Sequence, residues 1–177
     1  IVTVPTPITK SNKPDLSHLI NASILIAKYL KKNDIVIYES TVYPGTTKLL
    51  VNNYLNKYSK LKEGKDFFVG YSPERVNPGD NKHTISKIKK ILAISAPKKI
   101  KLRVKTVYKQ ISKKLILTNS IESAETAKVI ENIQRDLNIA FINDILIFSE
   151  KMNYNFDEIL RLASSKWNFL KFKPGLV

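Results

Sequence analysis

Apolar positions along the chain switch between short unbroken runs and recurrences at three- and four-residue spacing, a pattern that predicts alternating strands and helices. Ile1-Val2-Thr3-Val4 reads as a buried β-branched strand with no leader before it, ending in the Pro5-Thr6-Pro7 turn. Leu19, Ile20, Ile24, Ala27 and Leu30 mark one helix face, with Asp15 or Ser17 as its cap and the polar run from Lys31 to Asp34 as its stop. Ile35 to Tyr38 predicts a buried strand, Ser40 to Gly45 a turn, and Thr46 the start of a helix through Leu49, Leu50, Tyr54 and Leu55. Phe67 to Tyr71 predicts a strand that runs into a loop rich in Pro, Asn and Gly, from Ser72 to Gly79. Short strands at 91–94 and 115–117 flank a helix from Lys98 to Ile111. Strands and helices alternating at this spacing predict a parallel α/β sheet.

From Ser120 the texture changes. Residues 121 to 152 contain neither Gly nor Pro, and Ala127, Ile130, Leu137, Phe141, Ile145 and Phe148 keep near-helical spacing. One helix on the order of 45 Å follows from a rise of about 1.5 Å per residue. Helices of that length bridge domains or form subunit interfaces, and a shorter helix from Phe156 to Ser164 opens a second, helical unit. The expected division is 1–119, 120–152 and 153–177. The abrupt opening strand and the close on Lys173-Pro174-Gly175-Leu176-Val177 are read as the ends of a fragment.

Composition narrows the class. With 43% hydrophobic and 25% charged residues the chain has the make-up of a folded domain. It contains no cysteine, hence no disulfide framework and no thiolate metal site, and no apolar run of membrane-spanning length, so a cytoplasmic location is expected. The net charge of +15 invites a nucleic-acid reading. Lysines spread from Lys10 to Lys173, however, and only Arg75, Arg103, Arg135 and Arg161 could act as bidentate readers, so no specific nucleic acid is expected. His18 and His83 lack partners at metal-ligand spacing, and no metal is expected; Trp167 is expected to pack.

In a parallel α/β sheet ligands bind outside the carboxyl ends of the strands. Three polar loops follow predicted strands: residues 4–7, residues 39–45 and residues 71–79. Taken singly, each is also what an ordinary turn uses. Extended to residues 38–47 and 70–80, and taken together with Ala124 to Asn132, Gln134 to Ala140 and Lys166 to Leu170, in this order, they resemble the UDP-glucose/GDP-mannose dehydrogenase family, and most of all its UDP-N-acetylhexosamine 6-dehydrogenase branch.

The resemblance implies the later part of a Rossmann-like NAD-binding domain, a long connecting helix, and the start of a helical dimerisation domain. It implies NAD as cofactor, a UDP-sugar as substrate, and a homodimer formed through the long helix and the unit after it. The implied reaction oxidises the sugar's C6 alcohol to a carboxylate in two hydride transfers, through an aldehyde, a thiohemiacetal and a thioester. Glu74 matches the family's general acid/base residue, Thr41 the threonine that positions water, and Lys128 and Asn132 the pair that steadies the oxyanion. Lys128 and Asn132 are four apart and so share a helix face. Val4, Thr6, Ser40 and Thr41 match the nicotinamide and ribose side, and Arg75 and Asn77 are candidate substrate contacts beside Glu74, Lys128 and Asn132. Read without the resemblance, Glu74 and Arg75 are a surface ion pair and Lys128 and Asn132 two solvated helix residues. The family's Gly-rich pyrophosphate turn and its nucleophilic cysteine do not occur in the chain, so the chain alone is expected to be inactive. The alternative is a non-catalytic binding or dimerisation module, or the decayed product of such a gene.

Overall fold

The strand-forming runs fold as β1 (Ile35–Tyr38), β2 (Phe68–Tyr71), β3 (Lys89–Ile94) and β4 (Lys114–Thr118), hydrogen-bonded in that order into one sheet. The computed structural model describes residues 1–76 and 84–176. β1 and β2 pair in parallel across α2 (Thr46–Leu50), a π-helical turn (Val51–Leu55) and α3 (Asn56–Ser59). β3 and β4 pair in parallel across α4 (Lys98–Ile111). Between these pairs β2 and β3 run antiparallel, with Gly70 opposite Ile94 and Tyr71 opposite Ala93. The sheet is therefore mixed where strand and helix alternation predicts a parallel one. No helix among the described residues lies between β2 and β3, and a parallel return needs such a crossover.

Alternating side chains send each strand's apolar residues to both faces. Val36, Tyr38, Val69 and Tyr71 join one cluster with Leu19 and Ala27 of α1 (Ser17–Tyr29) and with Leu50, Leu55 and Phe67. Ile37, Phe68, Leu92 and Ile94 join the other with Ile100, Val104 and Tyr108 of α4. At Gly70 the two strands flanking β2 leave no room for a side chain. A Cβ there would lie 2.7 Å from Ile37 Cδ1 and 2.8 Å from the Ala93 carbonyl oxygen. We expect Gly70→Ala to lower the unfolding free energy by about 1–3 kcal/mol, the range for overfilling a packed core. A urea titration measures it, and an unchanged midpoint contradicts this packing.

The opening segment differs from expectation. Val2 N–H donates to Ile37 O (2.8 Å) and Glu39 N–H to Val2 O (2.9 Å), but the pairing stops at one parallel bridge between Val2 and Tyr38. Pro5 and Pro7 have no N–H with which to extend a ladder, and Ile1 is exposed. α1 starts where Asp15 Oδ1 accepts the Ser17 amide at 2.8 Å, a bond that holds the Asp15 carboxyl below its ordinary range. The charge is also less evenly spread than the run of lysines suggests. α4 carries Lys98, Lys99, Lys101, Arg103, Lys105 and Lys109 and no acidic residue.

The chain divides into two units, Ile1–Val129 and Ile130–Val177, and α5 (Ile121–Met152) belongs to both. In the second unit the Asn143 side-chain amide exchanges two hydrogen bonds of 2.9 Å with the backbone of Gly175. Phe148 meets Tyr154 edge to face at 6.2 Å, and Asn155 caps α6 (Phe156–Ala163) by accepting the Glu158 amide at 3.0 Å. Trp167, expected to pack, is 92% exposed, for it lies in turn and extended chain beyond α6 where no described element covers it. Among the described residues no helix is long and apolar enough to cross a membrane.

Candidate functional site

The carboxyl ends of β1 and β2 lie side by side because the two strands are parallel and in register from Ile35 opposite Phe68 to Tyr38 opposite Tyr71. The Val2–Tyr38 bridge brings the segment after Val2 to the same edge. A cleft of about 330 Å³ opens there, lined by Thr3, Val4, Pro5, Thr6, Glu39, Ser40, Thr41 and Glu74. Two side chains lock its walls together. Thr6 Oγ1 donates to the Thr41 carbonyl (2.7 Å), and the buried Ser40 Oγ donates to the Val4 carbonyl (2.6 Å). Glu74 Oε1 accepts the amides of Arg75 (2.6 Å) and Val76 (2.7 Å), which folds the carboxylate back over its own loop. The cleft thus gathers five of the residues singled out in the sequence: Val4, Thr6, Ser40, Thr41 and Glu74. Thr41 is exposed and Glu74 half-buried.

The remaining candidates are placed elsewhere. Arg75 lines a separate groove with Ile88 and Lys89, and its guanidinium donates to the Lys89 carbonyl at 3.0 Å. Lys128 is half-buried on α5 within the first unit and is not among the residues lining the cleft. Asn132 falls in the second unit, where its Oδ1 accepts from Arg135 at 2.9 Å. Asn77 and His83 lie outside the described residues.

Two carboxylates carry more of this architecture than the sequence reading assigned them. Glu125 is fully buried, and its oxygens accept the Gly45 amide (2.6 Å), the Thr47 amide (2.9 Å) and Thr47 Oγ1 (2.7 Å). The donors are the N–H groups that α2 leaves without intrahelical partners. They are presented by Gly45, whose φ of 88° lies in the left-handed region that glycine tolerates best. The bond set ties the turn carrying Thr41 to the first turns of α5, where Lys128 stands three residues on from Glu125 and so on the same side of the helix. Glu39 is the second. Lys90 Nζ lies 3.3 Å from its Oε2, and the Tyr108 hydroxyl donates to Oε1. Burial, then the Glu39 carboxylate, pushes the Tyr108 hydroxyl far above the ordinary tyrosine range, so it remains a donor. The local signal for Lys90 was the Lys89-Lys90 pair inside a strand, where alternation must turn one lysine inward.

Residues 1–112 match the NAD binding domain of the UDP-glucose/GDP-mannose dehydrogenase family, and residues 122–177 match its central domain. The UDP-N-acetyl-D-glucosamine 6-dehydrogenases of Pseudomonas aeruginosa and Salmonella typhi are 52% and 50% identical to the chain over all of it. The chain spans 42% of the length of each of these relatives. The solved UDP-D-ManNAc dehydrogenase of Pyrococcus horikoshii superposes with a TM-score of 0.86 at 32% identity, over 97% of this chain and 40% of that one. The later Rossmann-like strands and the long helix that follows them are those of the UDP-glucose/GDP-mannose dehydrogenase family, to which this chain belongs.

Proposed function

We propose that the chain supplies the nicotinamide side of the catalytic cleft in an NAD-dependent dehydrogenase that oxidises the C6 alcohol of a UDP-N-acetylhexosamine, or of UDP-glucose, to a carboxylate. The observation that carries this reading is the convergence of Thr6, Ser40, Thr41 and Glu74 on one cleft at the carboxyl ends of two parallel strands. The cleft's wall of hydroxyls and two carboxylates, Glu39 and Glu74, fits a polar, hydroxyl-rich ligand portion. When bound, NAD would accept the two hydrides of the four-electron oxidation. Val4, Thr6 and Ser40 would hold the nicotinamide and ribose. Thr41 would position the water that hydrolyses the thioester, and Glu74 would take that water's proton. Lys128 and Asn132 would donate to the oxyanion that forms, with Arg75 and Asn77 as contacts of the sugar nucleotide. In this reading 1–119 is the NAD-binding part, 120–152 the connector and 153–177 the start of the central domain.

The chemistry requires a thiol and a pyrophosphate turn, and the 177 residues contain no cysteine and no Gly-rich βα turn. We therefore expect the isolated chain to leave NADH absorbance flat when incubated with NAD and UDP-N-acetylglucosamine, UDP-N-acetylgalactosamine or UDP-glucose. Sustained NADH formation by the pure chain would refute this assignment of roles.

Self-association belongs to the same proposal. On α5 the second unit exposes Ile130, Ile133, Leu137, Phe141, Phe148 and Met152 at helical spacing, a stripe suited to a second copy. Sedimentation should report a dimer that Leu137→Glu combined with Phe141→Glu converts to monomer. A monomeric parent chain at tens of micromolar counts against the stripe as a subunit interface.

A further inference from the structure

Lys90 is 2% exposed, and lysines are almost never that deep unless paired. Its partner is not consumed by the core. Glu39 lines the cleft beside Thr6, Ser40, Thr41 and Glu74, whereas Lys90 and Tyr108 are buried and do not line it. Lys90 Nζ approaches Oε2 at 3.3 Å, the Tyr108 hydroxyl donates to Oε1, and Lys90 Nζ stands 5.8 Å from the centre of the Tyr108 ring. Among the described residues each carboxylate oxygen thus has one protein donor. A carboxylate offers about four lone-pair positions, so two donors leave capacity for a ligand. An ionised carboxylate only accepts, which excludes phosphate and carboxylate ligand groups as its partners and selects O–H or N–H. Two neighbouring hydroxyls match two carboxylate oxygens best.

Resting on the reading of this cleft as the nicotinamide side of a dehydrogenase, the geometry points to Glu39 as the residue that accepts hydrogen bonds from the ribose diol of the nicotinamide riboside moiety, with Lys90 and Tyr108 as positioning residues that fix its carboxylate. Thr6 and Ser40 donate their hydroxyl protons to the carbonyls of Thr41 and Val4, so toward the diol they offer only neutral hydroxyl oxygens, weaker acceptors than the Glu39 carboxylate.

The test uses the 177-residue chain, isotope-labelled, with two pyridinium probes of equal charge: nicotinamide riboside, and 1-methylnicotinamide, methylated on the ring nitrogen, which has the ring without the sugar. Amide shifts of Thr6, Ser40 and Thr41 report binding. We expect the parent chain to prefer the riboside by about tenfold, the worth of one or two charge-assisted hydrogen bonds. Glu39→Gln combined with Lys90→Met leaves no unpaired buried lysine and should bring the two probes to equal affinity. Tyr108→Phe, which keeps the ion pair, should reduce the preference about threefold, a partial loss in keeping with one lost hydrogen bond. If the double variant does not fold, the Tyr108→Phe result decides. A purely structural cluster would weaken both probes alike and leave their ratio unchanged, which overturns the assignment of Glu39. A parent chain that binds both probes equally at these amides also overturns it while sparing the cleft. No response to either probe, or to NAD, removes the reading of the cleft and this inference with it.

Discussion

Glu125→Ala is expected to lower the unfolding free energy of the chain by about 3–5 kcal/mol, the cost of removing one partner from a buried charged hydrogen-bond set. The carboxylate is fully buried and serves three donors, the amides of Gly45 and Thr47 and the Thr47 hydroxyl. Alanine leaves those donors facing a cavity, and the two amides cannot turn elsewhere because α2 holds them. Thr47→Val removes only the hydroxyl donor and should cost about 1 kcal/mol. The order of the two losses in a urea titration identifies the carboxylate as the tie between the Thr41 turn and α5. Equal, small losses would mean that packing around Ala124 holds the helix start without it.

The second large effect is on catalysis. In a dehydrogenase made by exchanging this chain for the matching 42% of the Pseudomonas aeruginosa relative, we expect Lys128→Ala to lower kcat about 100- to 1000-fold, the usual cost of removing an oxyanion donor. The KM for the UDP-sugar should change far less, since the developing charge exists only in the transition state. Lys128 stands one turn beyond Glu125 on α5, so the buried tie that Glu125 makes also sets its position. Steady-state kinetics checks both parameters. A rise in KM at constant kcat would make Lys128 a binding residue only.

The helices were legible wherever an apolar face repeats over many residues. α4 spans Lys98–Ile111 as its periodicity predicts, and α5 runs from Ile121 to Met152 because nothing between them breaks a helix. Strand positions were legible too, but not their mutual direction, since direction depends on whether a crossover helix separates two strands rather than on either strand's own residues. At Ile1 the β-branched run suggested a full strand, and two prolines reduced it to a bridge. Within the site, the turn residues Thr6, Ser40 and Thr41 stood out through their loops. The ties between distant residues did not. Glu125 meets a turn about 80 positions away, and Glu39 meets Lys90 and Tyr108 across the sheet. Such pairs have no local period, so only folding brings them into view.

The exchange enzyme itself provides the most direct measurement of the central claim, that this chain carries one side of a nucleotide-sugar dehydrogenase site. The remainder of the Pseudomonas aeruginosa relative, joined to this chain, is incubated with NAD and UDP-N-acetyl-D-glucosamine, and NADH is followed by absorbance. We predict two NADH formed per sugar oxidised, at a rate that Glu74→Gln and Lys128→Ala each reduce. A folded exchange enzyme that binds NAD yet forms no NADH, or one whose rate is indifferent to both substitutions, would contradict it.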